Sequence, residues 1–130
     1  MRRVLEAIAS CPSTAVKDLA ERTKYSERHV PYRVQAARVL GFLPSEGEPT
    51  LTTRASRLLA TDAGSPAEKK QLVSAVDDCP AVRLIAPQLL DADGVDIKKL
   101  AERIARLSGL ALSTAERRAV VLRCWHRDLR

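Results

Sequence analysis

The stretch that decides the fold is LAERTKYSERHVPYRVQAARVLGFL, which runs from Leu19 to Leu43. It contains two segments with the apolar spacing of helices, and Lys24-Tyr25-Ser26 separates them. The inward positions of the second segment follow the i, i+4, i+7 spacing: Val30, Val34 and Ala37. The stretch therefore predicts a helix, a tight turn and a second helix that ends at Gly41.

Pro31 leaves two interpretations for the start of the second helix. A proline has no backbone N–H, and its ring crowds the carbonyl four residues earlier. Either the first turn after a cap at Ser26 is distorted, or the regular helix begins near Val30 with Pro31 in its first turn.

On the carboxyl-terminal side, residues 42–53 read FLPSEGEPTLTT. Two short apolar ends, Phe42-Leu43 and Thr50-Leu51, flank a tip rich in proline, glycine and glutamate. This pattern predicts a two-stranded β-hairpin with an irregular tip. On the other side, RRVLEAIAS predicts a helix over residues 2–10.

The second half has the start and stop signals of further helices. Ser65 and Glu68 form a capping box that predicts a helix over about residues 66–77. Gly109 marks the end of an amphipathic helix. A second capping box, Ser113 with Glu116, opens a last helix that runs to about Arg127.

A weak internal repeat links the two halves. Superposing Ala20 on Ala105 also places Tyr25 on Leu110, at a constant offset of 85 residues. Both segments read as helix, short turn, helix. The sequence predicts a mainly α chain in three parts: a winged helix-turn-helix with a small β-hairpin wing at 1–60, connecting helices at 61–94, and a second helix-turn-helix-like unit at 95–130.

The charge of the chain favours a polyanionic partner. The net charge is +6 and the isoelectric point is about 9.7. Residues 1–60 carry ten Lys/Arg against six Asp/Glu, residues 61–94 carry three against six, and residues 95–130 carry nine against four. Two basic segments therefore flank an acidic one.

The composition argues against several classes of protein. Cys11, Cys79 and Cys124 are far apart and form no CxxC pattern, so neither a disulfide framework nor a zinc site is expected. No apolar run approaches the roughly 18 residues of a membrane span, and no signal peptide precedes the first helix. The acidic pair Asp77-Asp78 has no nucleophile or third ligand beside it. We therefore expect a cytoplasmic, non-enzymatic protein with no catalytic residues, metal, cofactor or membrane partner.

The first helix pair resembles the winged-helix family of bacterial DNA-binding domains. The resemblance covers residues 3–60 and is carried by AARVLGFL, by LTTRASRLL and by Leu19, Ala20, Tyr25, Val30 and Val34. In that family the third helix lies in the major groove and the wing touches the flanking backbone. The resemblance implies duplex DNA binding, in a transcription regulator or in the DNA-recognition part of a restriction or other defence system. The internal repeat extends the implied module to two units in tandem.

The sequence departs from this family in three places. Lys24 stands where a turn glycine is frequent, and Pro31 interrupts the recognition helix. Glu46 and Glu48 lie at the wing tip, where carboxylates repel phosphate. The wing is therefore not expected to clamp the DNA backbone.

The third helix carries the residues that we expect to contact DNA. With Val30 inward, a rotation of about 100° per residue places Arg28, Tyr32 and Gln35 on the opposite side. Arginine can pair with guanine edges, glutamine with adenine, and tyrosine with phosphate or the thymine methyl. The alternative is a solvated face that arginine keeps soluble. The predicted DNA-binding residues are Arg28, Tyr32, Arg33, Gln35 and Arg38, with Lys17, Lys24 and Arg54 as phosphate contacts.

The last helix has two interpretations. Val120, Cys124 and Trp125 help to make it apolar on more than one side, which favours a structural helix or a homodimer interface. The other interpretation is a second DNA contact through Arg117 and Arg118. For the whole chain, a protein-interaction adaptor is the alternative function, because winged helices also dock partner proteins.

Overall fold

The structure, a computed structural model, describes residues 1–11, 13–87, 89–91 and 93–129. These residues form helices only: α1 (Arg2–Ser10), α2 (Val16–Thr23), α3 (Val30–Val39), α4 (Thr53–Leu59), α5 (Pro66–Asp77), α6 (Pro80–Ile85), α7 (Ile97–Ser108) and α8 (Leu112–Leu129). The chain divides into two units, Met1–Ala75 and Val76–Arg130. The prediction of a mainly α protein is consistent with this architecture.

In unit 1, α1 packs against α2, α3 and α4, and α2 packs against α3. The apolar side of each short helix meets at one core, whose fully buried side chains are Val4, Leu5, Leu19, Val30, Phe42, Leu43 and Leu58. Burying a side chain of this size contributes about 1.5–3 kcal/mol. Because each helix is too short to be stable alone, this shared core holds the helix pair in position.

The turn between α2 and α3 is set by Thr23 and Lys24. Lys24 adopts the left-handed conformation with φ 63°, the only positive φ of a non-glycine residue in the described chain. The buried Thr23 hydroxyl donates to the Leu19 carbonyl at 2.7 Å and accepts from the Tyr25 N–H at 3.3 Å. The side chain and the left-handed residue together close α2 and redirect the backbone toward α3.

Helix α3 begins at Val30 and carries Pro31 in its first turn. The second of the two interpretations of Pro31 is therefore confirmed. The preceding residues already turn, since the Val30 N–H donates to the Ser26 carbonyl at 3.2 Å. Pro31 costs little there, because the N–H groups of a first turn have no intrahelical acceptor.

The predicted β-hairpin wing at residues 42–53 is wrong, because none of the described residues forms a strand. Phe42 and Leu43 are both buried, whereas successive residues of a strand point to opposite faces. Pro44 and Pro49 cannot donate to a ladder. A single backbone bond, from the Thr52 N–H to the Phe42 carbonyl at 3.2 Å, joins the two ends. The segment is an irregular loop, so unit 1 contains the helix, turn and helix of α2 and α3 but no wing.

Arg2 joins the amino end of α1 to the α4–α5 connection. Its guanidinium forms a salt bridge with Glu68 and donates to the carbonyls of Leu58, Leu59 and Thr61. The Nε atom also donates to Glu6 at 2.8 Å. Hydrogen bonds to Glu68, and then to Glu6, raise the pKa of Arg2 above its ordinary value. One side chain therefore supplies donors to the Leu58 and Leu59 carbonyls in the last turn of α4 and to the Thr61 carbonyl just beyond it.

In unit 2, α7 packs against α6 and α8. The α7–α8 contact is lined by buried alanines, Ala101, Ala115 and Ala119, which let the two helices approach closely. Helix α7 ends at Ser108 before Gly109, as predicted. The predicted start of α8 at Ser113 is wrong, because α8 begins at Leu112. The Ala115 N–H donates to the Ala111 carbonyl at 2.9 Å, so the first turn forms ahead of the expected cap.

The two helix pairs close their first helix with the same hydrogen bonds. Gly109, 85 residues after Lys24, is also left-handed, with φ 72°. The Ser108 hydroxyl donates to the Ile104 carbonyl and accepts from the Leu110 N–H at 3.4 Å. These residues match Thr23, Leu19 and Tyr25 at the same offset of 85. The weak sequence repeat therefore corresponds to a repeated helix-turn-helix, with one turn closed by lysine and the other by glycine.

Candidate nucleic-acid interface

The outer side of α3 carries exposed polar groups. Arg28 precedes the helix, and Tyr32 and Gln35 lie one and two turns further along the same side. All three side chains are exposed, and Tyr32 retains 63% of its accessible surface. Within the described residues, none of the three makes a hydrogen bond or an ion pair through its side chain. Their donors and acceptors are therefore available to a ligand.

Arg38 is not part of this exposed set. Its guanidinium donates to the Pro44 carbonyl at 2.6 Å and to the Gly47 carbonyl at 2.8 Å. The side chain is only half exposed and holds the loop that was predicted to be a wing. Its position on the flank of α3 turns it toward this loop. Arg38 therefore stabilises the loop after α3 and is not one of the residues with free side chains on the outer side of that helix.

Arg33 lies on another side of α3 and contacts Tyr25. The centre of its guanidinium is 4.7 Å from the centroid of the Tyr25 ring, and that of Arg3 is 5.2 Å from the same centroid. Arg3 also donates to the Thr23 carbonyl at 3.4 Å. Helices α1 and α3 thus each supply an arginine to the tyrosine of the turn. We call Arg3, Tyr25 and Arg33 the arginine–tyrosine cluster.

Sequence reasoning missed this cluster except for Arg33. Arg3 is 22 positions from Tyr25, and no spacing rule links a residue of α1 to the turn before α3. The available signal was Tyr25 itself, an aromatic residue in a turn of a chain with only 3% aromatic residues. The charges of the cluster act on the Met1 amine. Burial, and then the charges of Arg33 and Arg3, lower the pKa of this amine, and the charge of Glu68 opposes the shift.

The predicted phosphate contacts of unit 1 have different surroundings. Lys17 is exposed in the first turn of α2, and Lys24 is exposed at the left-handed position. Arg54 is half-buried, and its aliphatic part lies against Gly41, with 3.8 Å from its Cδ to the position of a Cβ there. Lys17 and Lys24 therefore present their ammonium groups to solvent more fully than Arg54 presents its guanidinium.

Arg117 and Arg118 are both exposed on α8 of unit 2. The same helix exposes two adjacent valines, with 39% of Val120 and 44% of Val121 accessible. At the 85-residue offset, Arg117 and Val120 occupy the positions of Tyr32 and Gln35. The outer side of α8 therefore exposes an apolar side chain at the position where that of α3 exposes the Gln35 amide.

The part of the chain that the structure describes holds no group of three His, Cys, Asp or Glu side chains placed to bind a metal ion. None of its helices is long and apolar enough to cross a membrane. Comparisons with protein-family models, with curated proteins and with solved structures found no match to this chain.

Proposed function

We propose that the chain binds duplex DNA without catalysing a reaction on it, by placing α3 in the major groove. One observation carries the proposal: Tyr32 and Gln35 on the outer side of α3, and Arg28 in the turn just before it, are exposed and have no side-chain partner among the described residues. Exposed groups of this kind match the donor and acceptor pattern of base edges. A protein of net charge +6 also attracts the phosphate backbone.

Each residue has a role in this proposal. The Arg28 guanidinium would pair with the O6 and N7 atoms of guanine, and the Gln35 amide with the N6 and N7 atoms of adenine. Tyr32 would contact a thymine methyl or a phosphate. Lys17 and Lys24 would contact phosphates and set the register of the helix on the duplex. Such a protein serves as a transcription regulator or as the DNA-recognition part of a defence or restriction system.

The test is selection of bound duplexes from a random pool, followed by competition between the selected and a random duplex. We expect a recovered consensus and an affinity whose logarithm falls linearly with the logarithm of salt concentration. Weak binding of all duplexes to the same extent would contradict sequence reading. No binding even at low salt would contradict the proposal as a whole and favour the adaptor function.

The apolar outer side of α8 supports a second partner, which we propose to be another copy of this chain. Val120 and Val121 are consecutive and both exposed, about 100° apart around α8, and each would gain by burial. A two-fold axis would bring the same residues of both copies together. The rival role of α8 is a second DNA contact through Arg117 and Arg118.

Light scattering separates these roles, with Val120→Glu as the variant. A dimeric wild type and a monomeric Val120→Glu variant are expected, because a buried unpaired carboxylate is costly. Ser113→Glu, on the same outer side but about two turns closer to the start of α8, is the matched control for added charge. A monomeric wild type would rule out the dimer. Loss of DNA affinity in Arg117→Gln would then support the second DNA contact.

A further inference from the structure

The arginine–tyrosine cluster gathers two positive charges around one aromatic ring. Arg3 and Arg33 each lie within 5.2 Å of the Tyr25 centroid, so their guanidinium carbons are no more than about 10 Å apart, the Debye length at 0.1 M salt. The two guanidinium charges repel each other at this separation, although salt in the solvent partly screens the repulsion. Attraction to the face of the ring offsets part of this repulsion.

No described carboxylate neutralises the cluster. Arg3 and Arg33 form no ion pair within the described chain, although Arg2, next to Arg3, forms salt bridges with Glu6 and Glu68. The Arg3 guanidinium gives one hydrogen bond, to the Thr23 carbonyl, and the Arg33 guanidinium gives none to the described residues. Since each guanidinium has five N–H donors, most donors of the cluster have no acceptor among the described residues.

Stacking on Tyr25 also fixes the two guanidinium groups before any ligand arrives. A planar guanidinium that is already held loses little entropy when it forms paired hydrogen bonds to an oxyanion. A role in packing alone does not require arginine at both positions, because apolar side chains would cover the ring of Tyr25 without repelling each other. Two exposed, unpaired and held guanidinium groups are a suitable site for a phosphate group.

We infer that Arg3, Tyr25 and Arg33 form a binding site for a backbone phosphodiester of duplex DNA, next to the outer side of α3. This inference rests on the proposed function and adds to it. The site combines α1, the turn and α3, so it would fix the position of α3 relative to the DNA backbone. Arg3 becomes a DNA contact, and Arg33 contacts the backbone and not a base.

The experiment measures affinity for a selected duplex against salt concentration, for wild type and for Arg3→Gln, Arg33→Gln, Tyr25→Leu and Tyr25→Phe. Each Arg→Gln variant should lose about tenfold in affinity at low salt, the scale of a charge-assisted hydrogen bond, and flatten the salt slope by roughly one unit. Tyr25→Leu keeps both charges, so its affinity should fall while its slope stays near that of the wild type. Tyr25→Phe keeps the aromatic ring, so its affinity should match that of the wild type.

Arg57→Gln is the matched control, because Arg57 is an exposed arginine of α4 with no side-chain partner among the described residues. It removes the same charge from the same unit, and it should change the salt dependence of DNA affinity less than Arg3→Gln or Arg33→Gln does. Thermal unfolding of every variant shows whether the fold is kept. If Tyr25→Leu destabilises the fold, the two Arg→Gln variants alone test the phosphate site. If both keep wild-type affinity and slope on a duplex that the wild type binds, the inference is overturned and the proposed function stands.

The opposite failure is also distinguishable. If the Arg→Gln variants flatten the slope while substitutions of Arg28, Tyr32 and Gln35 leave sequence preference unchanged, base reading by α3 is overturned and the phosphate site stands. Inorganic phosphate at constant ionic strength tests the source of the phosphate group. Binding of millimolar phosphate that needs Arg3 and Arg33, together with unchanged duplex affinity in the two Arg→Gln variants, would overturn the assignment to the DNA backbone, and lowered duplex affinity in those variants supports it.

Discussion

Lys24 and Gly109 end two helices of this chain in the same left-handed conformation, with φ 63° and 72°. Each backbone N–H donates to the carbonyl four residues earlier, at 2.9 Å in both cases. Glycine adopts this conformation without a steric penalty, whereas the Cβ of lysine approaches the following carbonyl. Unit 1 therefore carries a strained cap where unit 2 carries a relaxed one.

Lys24→Gly should stabilise the protein and weaken DNA binding. Relief of the left-handed strain exceeds the entropy that glycine adds to the unfolded chain, so we expect a gain of up to roughly 1 kcal/mol in the free energy of unfolding. The same substitution removes a proposed phosphate contact. Thermal or urea unfolding measures the first effect, and the affinity for duplex DNA measures the second.

Two variants serve as controls for Lys24→Gly. Lys24→Gln keeps the side-chain strain and removes the charge, so it should weaken DNA binding without stabilising the fold. Gly109→Ala should cost about 1 kcal/mol. An added Cβ there meets no atom within 4 Å, so the cost would come from backbone conformation alone. A Lys24→Gly variant of unchanged stability would contradict the strained cap.

Arg2 and Glu68 should be coupled in the stability of unit 1. Removing either charge leaves the other half-buried without its main partner, so Arg2→Met and Glu68→Gln should each lower the melting temperature by several degrees. The double variant should lose less than the sum of the two, because the interaction can be lost only once. Arg57→Met is the control for removing an arginine without partners, and additive losses would show that the pair is not coupled.

Arg38→Ala should act on stability and not on sequence preference. It removes hydrogen bonds to the Pro44 and Gly47 carbonyls, and we expect a loss of about 1 kcal/mol, since the group is half exposed. Its preference between selected and random duplexes should match that of the wild type. Arg38→Lys is the matched variant, because one ammonium cannot hold both carbonyls in the same fork geometry. A changed base preference would show that Arg38 takes part in base recognition.

Substitutions on the outer side of α3 should change sequence preference. Arg28→Ala or Gln35→Ala should cost about 1–3 kcal/mol on the preferred duplex and relax the preference at one position. Lys17→Ala should weaken all duplexes similarly and flatten the salt slope by roughly one unit. Competition between preferred and random duplexes is the measurement. If Arg28→Ala, Tyr32→Ala and Gln35→Ala all keep the wild-type ratio, α3 does not read bases.

Sequence patterns predicted the helices where local chemistry decides them. The limits of α1 and the end of α7 agree with the apolar spacing and with Gly109, because caps and helical periodicity depend on near neighbours. The β-hairpin prediction failed because the burial of Phe42 with Leu43 depends on the core of unit 1, which no local pattern describes. A short apolar run is compatible with a strand and with an anchored loop.

For the candidate site, too, the features set by local structure could be predicted from the sequence, and the tertiary contacts could not. Exposure of Arg28, Tyr32 and Gln35 follows from helical rotation, and the structure agrees with it. The partners of Arg38 and Arg3 do not follow from rotation, because a long flexible side chain on a flank can reach either solvent or a neighbouring segment. Their contacts depend on tertiary structure, namely on where the loop after α3 and the amino end of α1 pass.

If α3 reads base edges as proposed, the attachment of Arg38 to its loop limits the number of base pairs that α3 can specify. With this arginine occupied, three outward side chains remain, and a helix of this kind specifies about three or four base pairs. A motif so short recurs by chance about every 60 to 260 base pairs, among a very large number of competing sites. Occupancy of a single locus would then require information from elsewhere, through a second module or through pairing of two copies on one duplex. Under the proposed function, the chain would therefore need a second DNA-binding module, or a second copy of itself, to occupy one particular site in a genome.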